Sequence, residues 1–225
     1  MSDTDGFIEE VTEEVRRDKL YGYLRRYGWI GALFILLVVG GTAWQTWQSS
    51  QERAQAQALG DAMLNALEQD SAAERIESLA AIESGSSTAT ALRDFLLAAA
   101  QMDEGNVEAG LQTLKVIEDN ADLPIVYRQI ASFKSLSGGG DAVPADERRA
   151  GFEALAQPGS AIRVLAEEQI ALIEIETGEK DAAIERFQRL LEDAEATPDL
   201  QQRAVQVIVA LGGEPELAFG AGTGN

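Results

Sequence analysis

Between Arg26 and Glu52 the chain carries no charged side chain, a run of 25 residues, and within it Trp29 to Trp47 reads WIGALFILLVVGGTAWQTW. Few folds accept such a stretch. As a helix its 19 residues extend about 28 Å, close to the roughly 30 Å of a bilayer's hydrocarbon core. The eight Leu, Ile, Phe and Val residues from Ile30 to Val39 favour insertion by about 2.4–4.8 kcal/mol, at roughly 0.3–0.6 kcal/mol each. The expected element is a single membrane-spanning helix over 29–47.

Its flanks set an orientation. Arg16, Arg17, Lys19, Arg25 and Arg26 precede the stretch, whereas Arg53 is the one cation in the twenty residues after it. Cationic flanks stay in the cytoplasm, so the N-terminus is expected inside and the C-terminal part outside. Tyr27 and Trp29 before the span, and Trp44 and Trp47 at its far end, suit the two headgroup levels, with Arg25 and Arg26 at the inner one. A secretory signal peptide is the competing reading, because Gly41-Thr42-Ala43 offers small residues for cleavage. An acidic leader of 28 residues and the bulky Trp44 that cleavage would expose argue against it.

The rest of the composition narrows the chemistry. The formal charge is −20, and residues 48–225 carry 13 Lys+Arg against 31 Asp+Glu. An acidic domain repels phosphate backbones, so no nucleic-acid partner is expected. With neither Cys nor His in the chain, thiol catalysis, Ser-His-Asp triads, Cys/His zinc sites and His- or Cys-ligated haem are excluded. No cofactor or metal is expected, and no catalytic residue is assigned.

Within residues 1–28, Ile8, Val11 and Val15 fall near helical spacing, which suggests a short amphipathic helix in a cytoplasmic tail. After Trp47, a run rich in Ala, Gln, Leu and Glu without proline continues as a helical stalk over 48–70. Helical patterns then alternate with short breaks, and no segment shows the period-two alternation of a strand. The expected helices are 48–69, 72–83, 89–104, 107–119, 124–136, 144–156, 160–176, 180–194 and 198–211. Gly105, Gly178 and Gly138-Gly139-Gly140 mark stops, and Pro124, Pro144 and Pro198 suit first turns. The fold class is all-α.

Self-similarity adds detail. Ala171, Gly178, Ala183, Phe187 and Leu190 have the offsets of the small, turn-glycine, small, aromatic and apolar positions of a tetratricopeptide repeat, and Ala98, Gly105, Gly110, Leu114 and Ile117 repeat those offsets. The Phe187 position recurs as Leu79, Leu114 and Phe152, at separations of 35, 38 and 35 residues. The expected array is a degenerate tetratricopeptide-like one over 71–211; an irregular helical bundle is the alternative. Residues 212–225, Gly-rich with Leu217 and Phe219 as apolar handles, are expected to be disordered.

Three motifs resolve into simpler readings. Gly138-Gly139-Gly140-Asp141 lacks the GK[ST] of a phosphate loop and reads as a turn. Asp103, Glu104, Asn106 and Glu108 lack EF-hand spacing and read as a solvated turn. Glu167, Glu168, Glu174, Glu176 and Glu179 resemble the paired carboxylates of acid/base catalysis, but they alternate with Ile170, Leu172, Ile173 and Ile175 as a packed helix beside water would. A helical array binds through its concave face. Leu92, Phe95 and Met102 on one helix, and Leu165, Glu168 and Leu172 on another, are its candidate lining; packing within the stack is the equally weighted alternative.

The layout as a whole resembles a bacterial family. The acidic tail, the Leu/Val-rich span followed by Trp44-Gln45-Thr46-Trp47, the Gln/Ala-rich stalk, and the repeats LLAAAQMDEGNVEAGLQTL and GEKDAAIERFQRLL look like the tetratricopeptide-repeat-like ancillary subunit of the Sec translocon. That resemblance implies a single-pass inner-membrane protein with a periplasmic repeat domain. It also implies association with the Sec channel and with a membrane-anchored prolyl-isomerase-like chaperone, in a non-enzymatic adaptor or holdase role. The Gly138–Gly140 loop and the Gly-rich tail depart from the family. A structural accessory subunit of another inner-membrane complex, such as a respiratory assembly, is the alternative function.

Overall fold

The computed structural model describes residues 3–216, with the side chains of residues 3–32, 35, 43 and 141 outside the description. Among the described residues there are nine α-helices and no strand. They are α1 (Asp3–Leu67), α2 (Ala72–Ala80), α3 (Ser87–Asp103), α4 (Val107–Glu118), α5 (Ile125–Gly138), α6 (Ala145–Leu155), α7 (Arg163–Glu176), α8 (Lys180–Glu192) and α9 (Pro198–Ala210). The chain forms two compact units, Met1–Ala58 and Leu59–Asn225.

In the first unit, Leu33, Phe34, Leu36, Leu37, Val38 and Val39 are all exposed. At 100° per residue they point to every side of the helix, so the segment has no polar face to give to water. The hydroxyls that follow turn inward: Thr42 donates to Val38 O at 3.0 Å, Thr46 to Thr42 O at 2.8 Å and Ser49 to Gln45 O at 2.9 Å. Among the described residues no helix is long and apolar enough to cross a membrane. The expected span over 29–47 lies partly outside them, since the side chains of 29–32, 35 and 43 are not described. The expected amphipathic tail, Arg25, Arg26, Tyr27 and Trp29 lie outside as well, as do Leu217 and Phe219.

In the second unit each helix from α2 to α9 packs on its neighbours in sequence. Four apolar clusters result, each fed by consecutive helices. Ala66 at the end of α1 joins Leu79 and Ala100; Ala98, Leu114, Ile117 and Ala131 join α3, α4 and α5. Phe152, Ala166, Ile170 and Ile173 join α6 to α7 with Phe133 of α5 against them, and Ala171, Phe187, Leu200 and Ile208 join α7, α8 and α9. Leu79, Leu114, Phe152 and Phe187, the recurring position in the sequence, fall one to each cluster, none more than 1 % exposed.

Local chemistry sets the boundaries. Ser71 and Glu74 form a reciprocal capping box at α2, with bonds of 3.2 and 3.3 Å. At the end of α3, Gly105 (φ 85°) lets its own N–H reach Met102 O and that of Asn106 reach Gln101 O, both at 2.9 Å. Gly178 (φ 83°) ends α7 in the same way. Two starts differ from expectation. Ser86 caps Ala89 N–H and begins α3 at Ser87, and the turn after Pro158 continues through Ser160, whose carbonyl accepts from Arg163 N–H, so α7 begins at Arg163.

The glycine triplet is a packed joint. A Cβ on Gly139 would lie 2.5 Å from Val143 Cγ2 and 2.9 Å from Ser135 O, and residues Gly140–Ala142 form one 3-10 turn into α6. Beyond α9, Gln188 on α8 holds the chain by its main chain alone: it donates to Glu214 O at 2.7 Å and accepts from Glu216 N–H at 3.1 Å.

Phe187→Ala should cost the helical unit about 3–5 kcal/mol, whereas Val116→Ala, at an exposed position, should stay within about 0.5 kcal/mol. Urea titration of the full chain in mild detergent measures both.

Candidate functional site

Of the five carboxylates expected beside water on α7 and its end, Glu176 and Glu179 are exposed, but Glu168 and Glu174 depart from that expectation. Glu168 is 8 % exposed and Glu174 3 %. An ionised carboxylate removed from water must be paired, and arginines from three other helices supply the pairs. Arg203 of α9 grips Glu168 with two parallel bonds of 2.8 and 2.9 Å. Arg186 of α8 reaches Glu174 at 2.7 and 3.0 Å and also bonds Glu167. From α6, Arg148 meets Glu176 at 2.6 Å and Arg149 bonds Glu179. Every carboxylate that suggested acid/base chemistry is thus engaged by a guanidinium whose planar fork matches it. Local pattern could not reveal this, because the partners lie 12 to 35 residues away.

The charges perturb one another. Arg149, followed by the Thr177 hydroxyl, holds the Glu179 carboxyl below its ordinary 4.5. The backbone N–H of Glu195 holds Asp193 below 3.8, with Arg163 adding to it and burial opposing. Burial is the largest influence on Arg186 and lowers its pKa, but the bonds and charges of Glu174 and Glu167 outweigh it and leave it raised.

A cleft of about 390 Å³ opens between α3 and α5 over α4. Buried Ala98 and Leu114 and half-buried Phe95 and Met102 form its floor. Ala99 and Asp103 of α3 form one bank, and Lys134, Ser137 and Gly138 of α5 the other. Met102 is seated between two glycines: a Cβ on Gly110 would meet its Cγ at 2.5 Å, and one on Gly138 its Sδ at 3.1 Å. An unbranched thioether held this way fills a floor that can re-form around an occupant.

The sequence candidates therefore separate. Phe95 and Met102 meet in the cleft; Leu92 is exposed on α3 outside its lining; Leu165 and Leu172 are exposed on α7; Glu168 is closed off by Arg203. Lys134, Ser137 and Gly138 were not anticipated, since nothing in the local pattern says which side of α5 faces α3. Trp44 and Trp47 are exposed, with ring centroids 5.6 Å apart. Among the described residues no cluster of acidic side chains is arranged to hold a metal ion. Asn106, part of the turn considered for calcium, accepts from Ala109 N–H as the α4 cap.

Arg186→Met would leave Glu174 buried without its cation and should cost about 3–5 kcal/mol, whereas Lys115→Met, at an exposed pair with Asp119, should cost no more than about 0.5 kcal/mol. Acid should also destabilise this unit. Carboxyls held below their ordinary values contribute stability that is complete above about pH 5 and lost as pH falls through their folded values, which lie below 4.5 for Glu179 and below 3.8 for Asp193. Urea midpoints at stepped pH check both the mutants and this slope. No protein family, curated protein or solved structure matches this chain.

Proposed function

We propose that the chain is a membrane-anchored, non-enzymatic binding protein: one span over 29–47 mounts a tetratricopeptide-like helical domain on the outer face of a bacterial inner membrane. There it serves as an adaptor or holdase beside the Sec channel and a membrane-anchored prolyl-isomerase-like chaperone, as the resemblance implies. The observation that carries the anchor is the ring of exposed Leu33, Phe34, Leu36, Leu37, Val38 and Val39 on every side of one helix. In water that surface is unfavourable at about 25 cal/mol per Å²; in hydrocarbon it is at home. Thr42, Thr46 and Ser49 support the same reading, since a hydroxyl bonded to its own helix's carbonyl needs no water.

The repeat reading draws support from Leu79, Leu114, Phe152 and Phe187, one per apolar cluster, and from Gly105 and Gly178 ending α3 and α7 alike. The cleft between α3 and α5 is the binding surface, and tethering to the membrane raises its local concentration near a channel, so that modest affinity suffices.

The absence of cysteine makes the topology directly testable. In intact spheroplasts a membrane-impermeant maleimide should label Ser87→Cys and spare Ser2→Cys. Labelling of both, or release of the protein by alkaline carbonate, would contradict the anchor. Capture from mild-detergent membranes should recover Sec subunits, and recovery of an energy-converting complex without them would refute the assignment.

A further inference from the structure

The cleft between α3 and α5 carries a charge pattern that specifies its occupant more closely. Asp103 on one bank and Lys134 on the other both border it, and among the described residues neither makes an ion pair or a side-chain hydrogen bond. In the same unit Arg93, Lys115, Arg148, Arg149, Arg163, Arg186 and Arg203 are paired with carboxylates, whereas Lys134, like Arg75, Arg128, Lys180 and Arg189, is not. What sets Lys134 apart is its place: it and Asp103 border the same apolar floor from opposite banks without pairing, which makes a two-point charge frame.

We propose that this cleft binds a short peptide segment of another protein in which apolar side chains stand between one cationic and one anionic side chain. The apolar residues rest on Phe95, Met102 and Leu114, the cation meets Asp103 and the anion meets Lys134. This rests on the reading of the cleft as a peptide-binding surface and adds the sequence class it takes. Other occupants fit the frame less well. A fatty acid would satisfy Lys134 but brings no cation to Asp103. A free amino acid carries both charges on one carbon, with no apolar side chains between them to lie on Phe95, Met102 and Leu114. Exposed charges at a rim contribute modestly to affinity, and their larger effect is on which partner is accepted.

The test uses the full chain in mild detergent and three fluorescein-labelled nonapeptides, acetylated and amidated, sharing a leucine-phenylalanine centre. Their flanking residues are lysine with glutamate, two lysines, or two glutamates. By fluorescence anisotropy the mixed peptide should bind the unaltered protein about fivefold tighter than either of the others. Lys134→Glu should transfer the preference to the doubly basic peptide and Asp103→Lys to the doubly acidic one, whichever way the peptide runs. Ala99→Trp, at an exposed position on the bank, should fill the cleft and remove binding of all three. If the three peptides bind alike and Ala99→Trp still blocks them, the charge frame is refuted and the peptide-binding surface stands. If no peptide binds, if Ala99→Trp changes nothing, or if oleate alone binds, both are refuted.

Discussion

The helical unit depends on helices that bury two faces at once. α3 sends Ala91 and Ala98 into one apolar cluster and Ala100, with Leu96 and Leu97, into another. α5 divides Ala131 and Tyr127 from Ile130, Phe133 and Leu136, and α7 divides Ala166, Ile170 and Ile173 from Ala171 and Ile175. No cluster is large, and none is complete without a helix that also serves the next. Small residues at these shared positions allow the close approach: Ala98, Ala131, Ala166 and Ala171 are each almost wholly buried. A bulkier side chain there would separate two clusters together, because packed interiors accommodate extra methylenes poorly.

How much of this is legible in the sequence depends on range. Most helix limits were, because turn glycines and first-turn prolines act within four or five positions, and Gly105, Gly178 and Pro198 behave as their types predict; the starts of α3 and α7 were not, since Ser86 and the turn through Ser160 set them. The positions of Leu79, Leu114, Phe152 and Phe187 were legible through their spacing. The ion pairs around α7 were not. Glu174 beside Ile173 and Ile175 looks like any polar residue on an amphipathic helix, and nothing local marks Arg186 as the group that lets it be buried. Half of the candidate cleft was visible for the same reason: Phe95 and Met102 follow from helix position, whereas Lys134 enters only when α5 is rotated into place against α3.

The arginines also change the meaning of the net charge. Most of those on α6 to α9 are spent between helices, on Glu167, Glu168, Glu174, Glu176, Glu179 and Asp193. These pairs cancel one another, so the excess of acid in the composition is carried by the carboxylates left outside them. The helical unit thus joins neighbouring helices through opposite charges and presents mainly one sign to its surroundings, a combination that keeps unrelated acidic surfaces away.

Packing between sequence neighbours has a further consequence for the order in which this protein can be made. Each cluster closes as soon as a few consecutive helices exist, so a chain delivered from its N-terminus acquires structure progressively and does not wait for a distant segment. Contacts of short sequence separation also require little loop closure. A domain wired this way is suited to taking shape as it emerges, one turn of the stack at a time.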